Sequence, residues 1–304
     1  MLESAMARES ETVPRLRRLR RWALGGTTLV ATLALAAAPA GASTLSSNWA
    51  GWVALGSSSS HTTFSSVSGV WRVPKVSCTS GQTTYSAAWV GLGGYAQDSN
   101  ALEQVGVDAD CPRRGGPHYD SWYELIPAAP VSIGVAVHAG DEMAGSVTVH
   151  GTHVTLRLRN LTTGARYSTT RHASQIDVSS ADWILEAPSS CTAGGCQTLP
   201  LADFGSVSFS AATATSNGRT APVQDPRWAA QEIELRQGAR PGTARFANGH
   251  VLPANEVIAT ASAASGPLGA FSVDWSERQT LEEGSRPRHF GEAVPFGEGS
   301  SAGS

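Results

Sequence analysis

From Ser43 onward the chain is a succession of short alternating runs, and no long stretch after that point carries a helical period. "NWAGWVAL", "FSSVSGVWRV", "TTYSAAWVGL", "ALEQVGVD", "SWYELI", "VSIGVAVHA", "SVTVHG", "HVTLRLRN", "DWILEAP", "GSVSFS", "AAQEIELR", "NEVIATAS" and "AFSVDW" are separated by clusters of Gly, Ser, Pro and Asp. Side chains with a period of two face alternately to the two sides of a strand, so such runs bury one face and leave the other free. Many short strands with frequent turn signals predict an all-β fold, an antiparallel β-sandwich or barrel, with residues 43–275 as one domain. Charged residues are only 15% of the chain, which suits that class better than a helical one. Residues 276–304 lose the alternation for Gly, Ser, Pro and charge and read as a disordered tail.

Residues 1–42 have a different composition. "RLRRLRRW" followed by "ALGGTTLVATLALAAA" and "AGA" has the basic, apolar and small-residue order of a signal peptide ending at Ala42. The apolar run is short and Gly-interrupted, so the mature chain is expected to be secreted, with no membrane contact after cleavage. This segment holds six of the 22 basic and three of the 25 acidic residues, which leaves 16 and 22, a net charge of -6. That balance argues against nucleic acid as a partner. Cys78, Cys111, Cys191 and Cys196 make an even count for an oxidising compartment. Three connectivities are open; Cys78–Cys111 and Cys191–Cys196 are the expected pairs. A zinc site is the competing use, but there is no CxxC pair and no histidine nearby, and no metal or cofactor is expected. The exported chain is read as a monomer.

Several familiar chemistries lack their residues. Between residues 43 and 275 there is no G-x-S-x-G and no H-E-x-x-H, and His138, His150 and His153 stand without a companion carboxylate cluster. "GLGGYA" from Gly91 has no helix after it and reads as a turn. "NLT" at Asn160 is a glycosylation sequon.

The alternation exposes a different pattern. In "ALEQVGVD", Val105 and Val107 share one face, and Leu102, Gln104, Gly106 and Asp108 share the other. In "SWYELIP", Trp122 and Glu124 lie together; in "ADWILEAP", Asp182, Ile184 and Glu186 do. Three strands thus place an amide or acids opposite a core face, and tryptophan beside acid on such a face suits a binding groove. A mid-strand glutamine needs hydrogen-bond partners to be worth its desolvation, so Gln104 points to a site that uses an uncharged amide.

"SNWAGW" (47–52), "GVWRVP" (69–74), "AAWVGLGG" (87–94), "EQVGVD" (103–108), "YDSWYELIP" (119–127) and "SADWILEAP" (180–188) occur in the order found in the glutamic peptidases, or eqolisins, and over residues 45–210 the chain resembles that family. The resemblance implies a concanavalin A-like (jelly-roll) sandwich of two large antiparallel sheets. It implies an acid endopeptidase acting on protein or peptide substrates, with Gln104 and Glu186 as the catalytic pair. Glu186 would activate water as general base and then protonate the leaving amine, and the Gln104 amide would steady the oxyanion, with no covalent intermediate. Trp49, Trp89, Trp122 and Glu124 match groove positions and Asp108 the acid closing the Q-x-G-V-D segment; the tryptophans are read as substrate walls and Asp108, Glu124 and Asp182 as supporting acids. Two places depart from the family. Gly93 stands where an aspartate is usual, and Asp182 where a glutamate is usual. Asp182 and Glu186 share a strand face, so either can reach a groove by alternation; the motif selects Glu186.

Two other readings fit the same face. A glycoside hydrolase could use Glu124 and Glu186 as its carboxylate pair, which leaves Gln104 without a role. A lectin-like module could bind without turnover.

Overall fold

The computed structural model describes residues 43–56, 62–192, 195–237 and 256–278; the predicted signal peptide and residues 279–304 lie outside them. The strands in chain order begin with β1 Thr44–Ser46, β2 Trp49–Leu55, β3 Ser66–Arg72, β4 Ala87–Gly93, β5 Leu102–Asp110 and β6 His118–Ile126. Next come β7 Val131–Ser132, β8 Glu142–His150, β9 His153–Asn160, β10 Arg166–His172, β11 Ser180–Glu186 and the hairpin β12 Ser189–Thr192 with β13 Gly195–Thr198. The chain closes with β14 Ser206–Ser216, β15 Arg219–Pro222, β16 Ala229–Arg236, β17 Glu256–Ala261 and β18 Phe271–Arg278. The last strand continues past Trp275, so the domain boundary read from the sequence falls inside it.

The fold is the expected all-β sandwich. One layer runs β10-β9-β8-β3-β14-β18 and the other β16-β2-β11-β4-β5-β6-β7; β17 bonds to β18 and β16 and makes the two layers one continuous ladder. Among the described residues every pairing between named strands is antiparallel except β1 with β16. The layers meet face to face, β3 and β8 against β4 and β5, and β11 against β3 and β14. Between them lies a core that includes Trp71, Trp183, Phe204, Phe209, Met143, Leu156 and Leu158, all fully buried. Each such side chain removed from water contributes about 1.5–3 kcal/mol. The indole N–H of Trp183 is satisfied by the Ser68 carbonyl at 2.7 Å. Both expected disulfides are present. Cys78–Cys111 ties the segment after β3 to the end of β5, and Cys191–Cys196 closes the β12–β13 hairpin.

Three sequence readings change. "VSIGVAVHA" gives a ladder only at Val131–Ser132; Gly134 then takes φ 67 and the chain leaves the sheet, although Val135 and Val137 stay buried. "RYSTTRH" forms β10, which alternation missed because this edge strand buries neither face fully. Asn160 is a poor glycosylation acceptor, being wholly buried. Its Nδ2 donates to Ala136 O and Asp141 Oδ2, and its Oδ1 accepts from the amides of Thr162 and Thr163.

Candidate active site

The outward face of the second layer is ordered by cross-strand register. Trp49, Glu186, Ala87, Asp108 and Asp120 stand side by side on β2, β11, β4, β5 and β6. The next row is Gly51, Ile184, Trp89, Gly106 and Trp122, and the third is Val53, Asp182, Gly91, Gln104 and Glu124. The face is not simply wet surface. Val53, Ala87, Trp89, Leu102, Trp122, Ile184 and Ile233 form a second apolar cluster beneath the polar groups. Gly106 makes room for it: a Cβ there would sit 2.6 Å from the Trp89 Cβ and 3.1 Å from the Trp122 ring.

Above this cluster lies a cleft of about 800 Å³ lined by Asn48, Trp49, Gln104, Asp108, Trp122, Glu124 and Glu186, with Asp110 and Asp120 at one end. Most of these positions share alternate places on four strands, which is why period-two reading found them. Trp89 and Asp182 do not line the cleft. Trp89 is fully buried, meets Trp49 edge to face at 5.0 Å, and donates its indole N–H to Glu186 Oε2 at 2.8 Å. It holds the carboxylate rather than forming a wall. Asp182 is fully buried between Val53 and Gly91, and its Oδ2 accepts from Ser180 Oγ at 3.2 Å. It stands in the row of Gln104 and Glu124, four residues along β11 from Glu186, and its burial rather than its place along the strand keeps it out of the opening.

Glu186 is held from two sides, since Asn48 Nδ2 donates to its Oε1 at 3.1 Å. Asn48 is anchored in turn by Ser46, whose hydroxyl bonds the Asn48 side chain and accepts from the Asn48 and Trp49 amides. Sequence reading passed over Asn48 although it lies within "SNWAGW"; its neighbour Trp49 drew the attention. Burial pushes the Glu186 carboxyl up to about 7; the Trp89 and Asn48 bonds oppose the shift, and the charge of Glu124 adds to it. Gln104 Nε2 donates to Glu124 Oε2 at 2.7 Å, leaving its second N–H free for another acceptor. Glu124 is raised by burial, with the Gln104 bond working against that. Trp122 Nε1 donates to Asp108 Oδ1 at 2.7 Å. Burial, then the charge of Asp110, lifts Asp108 to about 8, and burial lifts Asp110 to about 6. The cleft therefore offers a carboxyl that exchanges a proton near neutrality and an amide with a donor to spare, among aromatic walls.

The model of the peptidase A4 family matches residues 47–248, two thirds of the sequence. The chain belongs to this family, the glutamic peptidases. Aspergillopepsin-2 of Aspergillus niger is 33% identical over 212 residues, covering 59% of this chain and 68% of that protein. Scytalido-glutamic peptidase, solved with a transition state analog inhibitor, superimposes with a TM-score of 0.58 at 26% identity over 76% of this chain and 98% of that one. SCP-B, an eqolisin solved with the tripeptide Ala-Ile-His, gives 0.54 at 25% identity over the same shares. As a glutamic peptidase the protein is a hydrolase of peptide bonds, and the sandwich is the fold of its relatives.

The departure at Gly93 has a structural counterpart in this glutamic peptidase. Gly93 takes φ 83, and a Cβ on it would fall 2.4 Å from the Cβ of Asp177. The Asp177 carboxylate accepts from the Gly94 amide and the Ser99 hydroxyl. Burial works to raise Asp177, but bonds from Ser179, Ser99 and Gly94 outweigh it and hold the group below its ordinary value. An acid from the β10–β11 connection thus fills the space next to Gly93. Sequence reading missed Asp177 because it lies between strands and outside the quoted motifs.

Proposed function

We propose that the protein is a secreted endopeptidase in which Glu186 and Gln104 are the catalytic pair. Glu186 in its ionised form takes a proton from the attacking water and returns it to the leaving nitrogen. A carboxyl lifted to about 7 is a stronger base than a surface carboxylate, and still a good acid on the return step. The free N–H of Gln104 donates to the developing oxyanion, and its bond to Glu124 fixes the amide plane. Trp49 and Trp122 flank the bound peptide. Asn48 and Trp89 orient Glu186, and Asp108 and Glu124 support the pair. Asp182 supports the sheet from below.

The observation that carries this reading is that Glu186 and Gln104 line one cleft, each held by its own hydrogen bonds, in a chain of the glutamic peptidase family. Because Glu186 is used in its ionised form and titrates at about 7, activity should rise as pH climbs through that value. Asp110, at about 6, ionises first, then Glu186, at about 7, and Asp108, at about 8, so the cleft charges in steps as pH rises. Export of the chain from residue 43 onward and removal of the leader are part of the proposal, and the two disulfides support an oxidising compartment.

The test is cleavage of a denatured protein substrate from about pH 2 to 8, comparing wild type, Gln104→Ala and Glu186→Gln. Activity within this range that is lost in both variants supports the pair. An active Gln104→Ala variant would return the chemistry to two carboxylates, and an inert wild type would make the cleft a binding site only.

A further inference from the structure

The face of the sandwich opposite the cleft carries a second depression. On the outer side of β8, β9 and β10 the side chains of Arg157, Arg159 and Arg166 are exposed. Arg159 stands directly opposite Arg166 across the β9–β10 ladder, and Arg157 lies two residues along the same face, about 7 Å away. Like charges placed directly opposite destabilise a sheet unless something neutralises them. Among the described residues none of the three forms an ion pair or a side-chain hydrogen bond; the pairs present are His138–Asp141, Arg227–Asp225 and Arg236–Glu234. The nearest acid by register is Glu142, two residues along β8 from Ala144, the β8 partner of Arg159.

The arginines border a depression of about 670 Å³ whose floor is built from small residues of β3 and β8, including Ser68, Ala144 and Ser146. Its far wall is a bulge in β14, where the pairing with β3 shifts between Ser210 and Thr213 and Ala211 takes φ 48. A non-glycine residue held in the left-handed region is costly and tends to accompany a shaped site. The depression is thus open, small-floored and cationic on one side, in a chain whose net charge beyond residue 42 is -6 and whose acidic cleft occupies the opposite layer.

We propose that this face binds an anionic polysaccharide, its carboxylate or sulfate groups on Arg157, Arg159 and Arg166 and its hydroxyls on Ser146 and Ser168. Arginine forks match carboxylate and sulfate oxygens in pairs, and two cations in line along β9 suit a linear polymer with recurring charge. The lining has no aromatic ring except Tyr167, which stacks instead on Tyr123, so it offers no platform for nucleic-acid bases. It has no projecting large apolar group to enter a lipid layer. Anchoring there would leave the cleft, on the other layer, open to substrate.

The full exported protein should bind fluorescent polygalacturonate and dextran sulfate at low salt, and uncharged dextran not at all. Log affinity should fall linearly with log salt. Arg157→Ser/Arg159→Ser/Arg166→Ser should weaken binding by about ten-fold or more and lower the salt slope by about two, while peptide cleavage is unchanged. Arg166→Ser alone, which relieves the like-charge pair and so folds at least as well, should lower the slope by about 0.7. Equal affinity and slope in wild type and both variants would overturn the site, as would no binding by wild type. Tighter binding to phosphatidylglycerol vesicles or a single-stranded oligonucleotide than to either charged polysaccharide would overturn the assignment of the ligand.

Discussion

Two groups of carboxyls sit in the same sheet and are provided for differently. In the cleft Glu186 accepts from Asn48 and Trp89, Glu124 from Gln104, and Asp108 from Trp122. At the other end, Glu103 on the core face and Asp182 on the cleft face are both wholly buried, and Ser180 is the one good donor to either. Neither oxygen of Glu103 has a well-formed hydrogen bond; the backbone amides of Asp177 and of Glu103 itself ease it only weakly, and burial lifts it to about 8. Asp182 is raised well above its ordinary value by the same desolvation. Burial alone therefore does not mark a reactive acid in this fold. An opening to solvent distinguishes the first group, and within it two donors leave Glu186 at about 7, below Asp108, which has one and stands at about 8. The second group is built to stay protonated.

The largest effect should come from removing the best-served acid. Glu186→Gln is expected to lower kcat by about a hundred- to ten-thousand-fold with the melting temperature little changed, measured by peptide turnover beside thermal unfolding. The least-served acids should affect stability instead. Below about pH 4.5 Glu103 is protonated in folded and unfolded chains alike; between there and about 8 the unfolded chain gives up a proton that the folded chain keeps. Stability should therefore be full in acid and decline as pH rises to about 8, by about 4–5 kcal/mol from this group. Glu103→Gln should flatten that decline in urea titrations at several pH values, and an unchanged slope would remove the contrast. Gln104→Ala should cost about 2.7–4 kcal/mol of barrier, with kcat falling more than KM changes. Trp89→Phe takes one donor from Glu186, so its carboxyl should rise further and the acid limb of kcat/KM should move up by about one pH unit. Asn48→Ala should shift the same limb the same way, by less, at a cost of about 1 kcal/mol.

The same contrast explains which residues were legible in the sequence. Alternation on β5, β6 and β11 placed Gln104, Asp108, Trp122, Glu124 and Glu186 on one face because side-chain direction in a strand depends on chain position alone. Depth does not. Trp89 and Asp182 are in phase with that face, yet the sheet packs Trp49, Ile184 and Val53 around them and closes them off. Glu103 went unread because a core-facing acid contradicts the pattern that identified its neighbours. Asp177 could not be found by period at all, since a residue between strands is positioned by turn geometry and by what it packs against. The disulfides were legible for the opposite reason, because a short loop and an even count leave few pairings.

The register of β5 also bears on how such a chain can vary over evolutionary time. Glu103 and Gln104 are adjacent, so losing or gaining one residue within the strand would hand the cleft a glutamate and bury the glutamine in the core. Gly106, under two tryptophans, and Cys111, tied to Cys78, would both have to move with it. Length changes in this sheet are therefore confined to connections, or come in pairs of residues, and the insertions of a relative sort into tolerated and disruptive ones by their parity and their place in the strand order.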